Sequence, residues 1–285
     1  MNIKKEIFDK LICLGCHSNG LTLCADFSIR CAKCLRTYPI VNGVYSFVPE
    51  EAVSFSEVPK EIRGNYIRVK RAAYFDESFI QKLYTHYHRY AGKMRSLYGG
   101  DGSTLDIGFG AGEHYEFIRP DEKDGRSFIG ADRDRFKLEY FCRNHQDVPV
   151  FQADALDLPF SDGSFDVVQL LATIEHFDIK GVNRVISESL RVLKANGILI
   201  VCYPAEGSLL LKCCRKIMGV ILKFKSDYDM VKDLAHTHAH LSSAAETRKA
   251  LKSNGQLKNV DSSFYFLSIP NLHLSLFINE VYRKI

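Results

Sequence analysis

The sequence predicts an α/β chain, with a mostly parallel, doubly wound sheet preceded by a small β-rich module. Short apolar runs that end in glycine or an acidic residue recur between residues 103 and 203, as expected of buried parallel strands. A segment with helical periodicity precedes them, and two pairs of cysteines lie near the N-terminus. The length of 285 residues accommodates one large α/β domain and a small module.

The composition is that of an ordinary globular protein, with 46% hydrophobic and 25% charged residues. A formal net charge of +4 is too small to indicate nucleic-acid binding by itself. No apolar stretch reaches the length of a transmembrane segment, and Glu6 and Asp9 interrupt the start of the chain, which argues against a signal peptide. We therefore expect a cytoplasmic protein, in which 9 cysteines indicate metal binding before disulfides.

Four cysteines form two Cys-x-x-Cys pairs: Cys13 with Cys16, and Cys31 with Cys34. Each pair lets two thiolates reach one metal from a single turn, and two pairs complete a tetrahedral site with no open position. The spacing predicts a structural zinc ion in a zinc ribbon. His17 and Cys24 lie inside the module and are alternative ligands, although we expect both to be bystanders.

The segment after the second cysteine pair contains two β-rich runs that flank Asn42-Gly43, the preferred type I′ hairpin turn. Residues 11–49 resemble the small zinc-ribbon activator proteins that partner tRNA and translation-factor methyltransferases. Helical periodicity then begins near residue 66 and ends at Gly99-Gly100. We predict three parts: a zinc-ribbon domain over 1–49, a polar linker over 50–65 and the main domain over 66–285.

A glycine-rich loop follows the first strand of the main domain. Gly108, Gly110 and Gly112 come directly after Asp106 at the end of this strand. Glycines let the backbone approach a ligand at the carboxyl end of a strand. A dinucleotide-binding loop would have glycine or alanine at the position of Glu113, so NAD and FAD are disfavoured.

Acidic residues also end the next two predicted strands. Asp132 follows the run Phe128-Ile-Gly-Ala, about 20 residues past the glycines, where a carboxylate accepts both hydroxyls of a ribose. Asp154, followed by Ala155, ends the run Val150-Phe-Gln-Ala. The sequence therefore predicts a carboxylate at the end of each of three strands.

The order of these motifs over residues 103–203 closely resembles the class I S-adenosylmethionine-dependent methyltransferases, in particular the methyltransferase type 11 group. The resemblance implies a Rossmann-like methyltransferase fold and a site for S-adenosylmethionine lined by Asp106, Gly108, Gly110, Gly112, Asp132, Asp154 and Ala155. In that family the acid matched by Asp154 contacts the adenine amino group. Phe109 replaces the family's small residue, and Ala195-Asn196-Gly197 replaces a Pro-Gly-Gly turn that we expect to keep its shape.

His176 follows the fourth strand on the side where the acceptor is expected. Two interpretations stay open: a general base for a hydroxyl acceptor, or a histidine that contacts the donor. His236, His238 and His240 form a second group, which suggests either a metal site or a polar loop beside the acceptor pocket, and we favour the loop. Ser242-Ser243 after them predict a helix N-cap.

Residues 207–225 carry a basic stripe and a wide apolar face when drawn as a helix. We favour a lid, within a substrate-side insertion over 207–241, against a helix that makes peripheral contact with a membrane surface. We consider three alternative functions for the chain. The first is methyl transfer to a small-molecule, glycan or lipid-linked acceptor. The second is methylation of RNA, as in rRNA guanine methyltransferases with an N-terminal zinc motif, and the third is a non-enzymatic module that binds the donor and docks a protein partner.

Overall fold

A computed structural model describes residues 5–48, 79–99, 102–112, 115, 128–213, 216, 240–266 and 275–285. Its strands are β1 (Leu21–Leu23), β2 (Ser28–Cys31), β3 (Thr37–Val41), β4 (Val44–Ser46), β5 (Thr104–Ile107), β6 (Phe128–Asp132), β7 (Val150–Gln152), β8 (Phe165–Leu171), β9 (Leu193–Pro204), β10 (Leu257–Phe266) and β11 (Ser275–Lys284). Its helices are α1 (Lys5–Phe8), α2 (Phe79–Tyr98), α3 (Arg135–Cys142), α4 (Ile179–Val192) and α5 (Ala244–Ser253), with a short 3-10 helix at Ile174–His176.

These strands form one sheet in the order β1-β2-β3-β4-β7-β6-β5-β8-β9-β11-β10. The strands from β4 to β9 pair in parallel, whereas β11 is antiparallel to both of its neighbours, β9 and β10. Helices cover both faces of this sheet. Buried side chains of α2 and α3 pack on one face, and those of α4 and α5 pack on the other. The predicted Rossmann-like architecture, a mostly parallel doubly wound sheet, is confirmed.

Hydrogen-bonded caps define where the helices of the main domain begin. The Asp178 side chain accepts a hydrogen bond from the Gly181 amide at 2.7 Å at the start of α4. Ser243 and Glu246 form a reciprocal capping box at the start of α5. The N-cap expected at Ser242-Ser243 is therefore confirmed at Ser243.

The ribbon hairpin is continuous with the sheet of the main domain. Asn42 and Gly43 both have positive φ, as the predicted tight turn between β3 and β4 requires. The strand β4 then pairs in parallel with β7, and the Tyr45 and Phe151 rings stack with centroids 5.0 Å apart. The division into a ribbon, a linker and a main domain stays a prediction, and the linker, 50–65, lies outside the described residues.

Two local expectations differ in detail from the structure. The helical periodicity of the sequence predicts that Leu97, three residues after Met94, lies on the apolar face of α2. Leu97 is instead 62% exposed, since the helix turns Ala91 and Met94 toward the sheet. The turn expected at 195–197 is an irregularity within β9. The residues of β9 that pair with β8 are Leu193 and then Ile198, and those between them are unpaired with β8. Asn196 has a φ of 61°, as a left-handed turn residue should.

Candidate active site

The glycine loop lies at the carboxyl end of β5, where ligands bind in open α/β sheets. The Gly108 amide donates to the Ala131 carbonyl at 2.8 Å, which ties the loop to the end of β6. Gly108 has a φ of +80°, and a Cβ there would lie 2.1 Å from Thr173 Oγ1. Thr173 Oγ1 in turn donates to the Ile107 carbonyl at 3.1 Å. The loop is therefore packed tightly against the segment that follows β8.

Phe109, the bulky residue in the loop, points into the core. Its ring is fully buried and meets Phe141 edge-on, with centroids 4.7 Å apart. A Cβ at Gly130 would lie 2.6 Å from the Phe109 ring, so this glycine makes the space that the ring occupies. Phe109, which stands where the family has a small residue, is therefore accommodated in the core beneath the loop.

Asp132 ends β6 and receives two backbone amides. Its Oδ2 accepts from the Gly110 amide at 2.7 Å, and its Oδ1 accepts from the Asp134 amide at 2.8 Å. The residue is half-buried, so the carboxylate borders both the glycine loop and the surface. Each carboxylate oxygen has a second lone pair for another donor such as a hydroxyl.

The other predicted donor-site carboxylates lie on either side. Asp106 is fully buried within β5, and Asp154 follows β7, where its Oδ1 accepts from the Leu156 amide at 2.9 Å. Ala155 packs at the edge of the core. The structure thus places Asp106 in β5, Asp132 at the end of β6 and Asp154 just after β7, and these three strands are neighbours in the sheet.

His176 lies beside His240, with ring centroids 5.1 Å apart. His240 Nδ1 is hydrogen-bonded to a carboxylate oxygen of Glu206. Glu175 completes the group: its side chain is only 3% exposed, and its Oε2 has no hydrogen-bond partner among the described residues. Burial raises the pKa of Glu175 to about 7, and the nearby Glu206 carboxylate acts in the same direction.

Sequence reasoning missed Glu175 and Glu206. Glu175 directly precedes His176, and that adjacency to a strand end is a signal that could have found it. No spacing connects Glu206 or His240 to the fourth strand. The backbone brings them together, because the Leu241 amide donates to the Glu175 carbonyl at 2.8 Å. His236 and His238, the other members of the predicted histidine group, lie outside the described residues.

Residues 105–201 match the family described as a methyltransferase domain. The chain contains a methyltransferase domain. The matched range includes Asp106, the glycine loop, Asp132, Asp154 and His176. The matched residues lie in the Rossmann-like part of the sheet described above. Among curated proteins, no match to the chain was found.

Solved structures share the fold of this methyltransferase. A TehB-like SAM-dependent methyltransferase from Corynebacterium glutamicum has a TM-score of 0.54 at 14% identity, covering 80% of this chain and 100% of that one. The magnesium protoporphyrin IX methyltransferase from Synechocystis PCC 6803, solved with bound SAH, has a TM-score of 0.52 at 18% identity, with 80% and 100% covered. A Pyrococcus horikoshii OT3 protein has a TM-score of 0.54 at 16% identity, with 78% and 99% covered.

The four predicted ligand cysteines of the methyltransferase cluster at one point of the ribbon. Cys13 Sγ lies 3.4 Å from Cys34 Sγ, Cys16 Sγ lies 3.5 Å from Cys31 Sγ, and all four sulfurs lie within 4.8 Å of one another. Sulfurs bound to one tetrahedral zinc at about 2.3 Å would be about 3.8 Å apart. The donor set therefore fits zinc. Neither His17 nor Cys24 belongs to this cluster.

The start of the predicted lid extends from the end of β9. Residues 207–213 and 216 are described, while the remainder of 207–225 lies outside the described residues. Leu209 is 64% exposed, and the side chains of Lys212 and Lys216 are exposed, in agreement with a solvated basic stripe. In the described part of the chain, no helix is long and apolar enough to cross a membrane. The choice between a lid and a membrane-surface helix stays a prediction.

Proposed function

We propose that this methyltransferase binds S-adenosylmethionine at the carboxyl ends of β5, β6 and β7 and methylates a small-molecule, glycan or lipid-linked acceptor. The observation that carries the donor assignment is the row of carboxylates formed by Asp106, Asp132 and Asp154 beside the glycine loop. The bound donor supplies a methyl group on a sulfonium that is already a good leaving group. The chain contributes chiefly by holding donor and acceptor in line.

In this proposal each carboxylate has its own contact. The half-buried Asp132, already held by the Gly110 and Asp134 amides, accepts hydrogen bonds from the ribose hydroxyls. Asp154 and Ala155 border the adenine. Asp106 lies beneath the loop that carries Gly108, Gly110 and Gly112, whose backbone lines the donor pocket.

Binding of the product S-adenosylhomocysteine tests the donor site by calorimetry. Asp132→Ala should weaken binding by about 1.5–3 kcal/mol, since it removes charged hydrogen bonds to the ribose. Asp162→Ala is the matched control, because Asp162 is 83% exposed and pairs with Arg191 on the surface. Asp132→Asn keeps the shape and one acceptor, and should fall between the two. Equal affinity in wild type and Asp132→Ala, or no binding by wild type, would contradict the assignment.

The charge of the chain and the surface near the start of the predicted lid favour an acceptor other than RNA. The net charge is only +4, and the described start of the lid presents an exposed Leu209 beside exposed lysines. The wide apolar face that the sequence predicts for residues 207–225 suits an apolar or membrane-proximal acceptor better than an RNA backbone. His176 lies at the acceptor end of the proposed site, beside His240.

A methyl-transfer screen with labelled donor across RNA, lipid and metabolite fractions tests this choice. We expect label in the lipid or metabolite fractions, and Lys212→Glu combined with Lys216→Glu should lower transfer while S-adenosylhomocysteine still binds. Defined-site methylation of purified rRNA or tRNA with high turnover would establish the RNA function instead.

We propose further that Cys13, Cys16, Cys31 and Cys34 hold one structural zinc ion. Thiolate ligands stay available in a reducing compartment, so we place the protein in the cytoplasm. Elemental analysis of freshly purified protein should find zinc, and Cys13→Ser should reduce the zinc content and destabilise the fold. Wild-type protein that retains no zinc in the absence of chelators would refute this site.

A further inference from the structure

A second cluster of metal-binding side chains lies at the acceptor end of the site. Glu175, His176 and His240 each offer one ligand atom, and these atoms all lie within 4.8 Å of one another. Ligands bound to one ion at about 2.1 Å lie about 3–4 Å apart, so small side-chain movements would complete the site. Two histidines and one carboxylate form the ligand set that leaves coordination positions open for other molecules.

Glu175 gives an independent indication of a cation. The residue is only 3% exposed, and its Oε2 has no hydrogen-bond partner among the described residues. Burying a carboxylate without a partner is costly, so such a group is normally paired with a charge or a metal ion. His240, one of the other two ligands, is close enough to act electrostatically on the Glu175 carboxyl.

Glu206 supplies the supporting contact that metal-binding histidines usually have. The Glu206 carboxylate accepts a hydrogen bond from His240 Nδ1. This contact favours the tautomer with the proton on Nδ1, which leaves the Nε2 lone pair free to bind a metal. The backbone holds this arrangement in place. The Leu241 amide donates to the Glu175 carbonyl at 2.8 Å, and the Ala244 amide donates to the Glu206 carbonyl at 3.1 Å.

The cluster adjoins the predicted donor loop. Thr173, one residue before the 3-10 helix that carries Glu175 and His176, hydrogen-bonds to Ile107 and stands against Gly108. A group held at this cluster therefore lies on the acceptor side of the donor. We infer that Glu175, His176 and His240 bind a divalent transition-metal ion whose open positions hold the acceptor through an oxygen atom, an inference that rests on the proposed methyltransferase function.

The chemical role follows from the ion as a Lewis acid. Coordination of an acceptor hydroxyl lowers its pKa, so that its proton leaves to solvent and an alkoxide or phenolate forms. The oxygen then forms a bond to the methyl carbon while the carbon–sulfur bond breaks and its electron pair stays on sulfur. The products are the methyl ether and neutral S-adenosylhomocysteine. In this arrangement His176 is a ligand and not the general base.

Titration with Co²⁺ distinguishes the two metal sites of the full-length, metal-depleted protein. Co²⁺ in the ribbon has thiolate ligands and gives sulfur-to-metal charge-transfer absorption, whereas Co²⁺ at the second cluster has only nitrogen and oxygen ligands and does not. Wild type should bind two equivalents. Glu175→Gln, His176→Ala and His240→Ala should each lose the second equivalent and keep the thiolate band, and Cys13→Ser should show the reverse.

Glu206→Gln tests the supporting contact and should weaken Co²⁺ at the second site about 10–100-fold. Glu139→Gln, at an i,i+4 ion pair with Arg135 away from the cluster, is the matched control and should change neither site. The inference would be overturned if wild type bound only the thiolate-bound equivalent of Co²⁺. It would also be overturned if the three ligand variants kept the second equivalent. S-adenosylhomocysteine calorimetry on the same samples is a separate readout: its failure in wild type would refute the proposed donor site, whatever the Co²⁺ stoichiometry.

Discussion

Gly108→Ala tests whether the glycine loop is held by packing against Thr173. A Cβ at this position would lie 2.1 Å from Thr173 Oγ1 and 2.4 Å from its Cγ2. The alanine would also have to adopt a φ of +80°. The substitution therefore combines a backbone cost with a steric cost at the loop that lines the proposed donor pocket.

The two costs can be separated within this protein. A left-handed backbone costs a residue other than glycine about 1–2 kcal/mol. Overpacking a close-packed site costs about 1–3 kcal/mol more, so Gly108→Ala should cost roughly 2–5 kcal/mol of unfolding free energy. Gly207 is the matched control: its φ is +91°, but a Cβ there would meet nothing within 4 Å. Gly207→Ala should therefore cost only about 1–2 kcal/mol.

Urea unfolding and S-adenosylhomocysteine calorimetry measure both effects. Thr173→Ala alone removes the hydrogen bond to the Ile107 carbonyl and should cost about 0.5–1.5 kcal/mol. Combined with Gly108→Ala it should recover about 0.5–3 kcal/mol relative to additivity, because two of the clashing atoms are gone. Additive effects in the double variant, or equal costs for Gly108→Ala and Gly207→Ala, would refute the packing argument.

Two further predictions concern the sheet. Phe47→Ala should lower the unfolding free energy by about 3–5 kcal/mol, because the ring is buried and stacks on Tyr38 at 4.4 Å. Thermal unfolding should show one transition, and two separate transitions would mean that the ribbon folds independently. Burial acts to raise the pKa of Asp166, but Lys194 and the Ser103 amide outweigh it and hold the pKa below its ordinary value. A lowered carboxyl pKa stabilises the fold above the unfolded-state value and loses that effect as pH falls through the folded-state value. Asp166→Asn should therefore cost at most about 1 kcal/mol at neutral pH. The difference from wild type should disappear in urea titrations once the pH falls below the folded-state pKa of Asp166, and an unchanged difference there would contradict the assignment.

The sequence by itself determined the features that local chemistry controls. Each strand end of the proposed donor site is one short apolar run followed by a glycine or an acid, so the positions of Gly108, Asp132 and Asp154 at strand ends could be predicted without knowing which strands pair. The cysteine spacing is equally local, because each Cys-x-x-Cys pair needs only one turn. The Asn42-Gly43 hairpin and the Ser243 cap likewise depend on backbone preferences of a few residues.

The tertiary structure alone decided how distant segments meet. Phe109 is accommodated because Gly130 on the neighbouring strand leaves space for its ring. The ribbon becomes an edge of the sheet because β4 pairs with β7, and parallel pairing depends on the path of the whole chain. Glu206 and His240 reach Glu175 through backbone hydrogen bonds that no spacing predicts. A buried carboxylate requires compensation from whatever segment packs beside it, and long-range packing determines which segment that is.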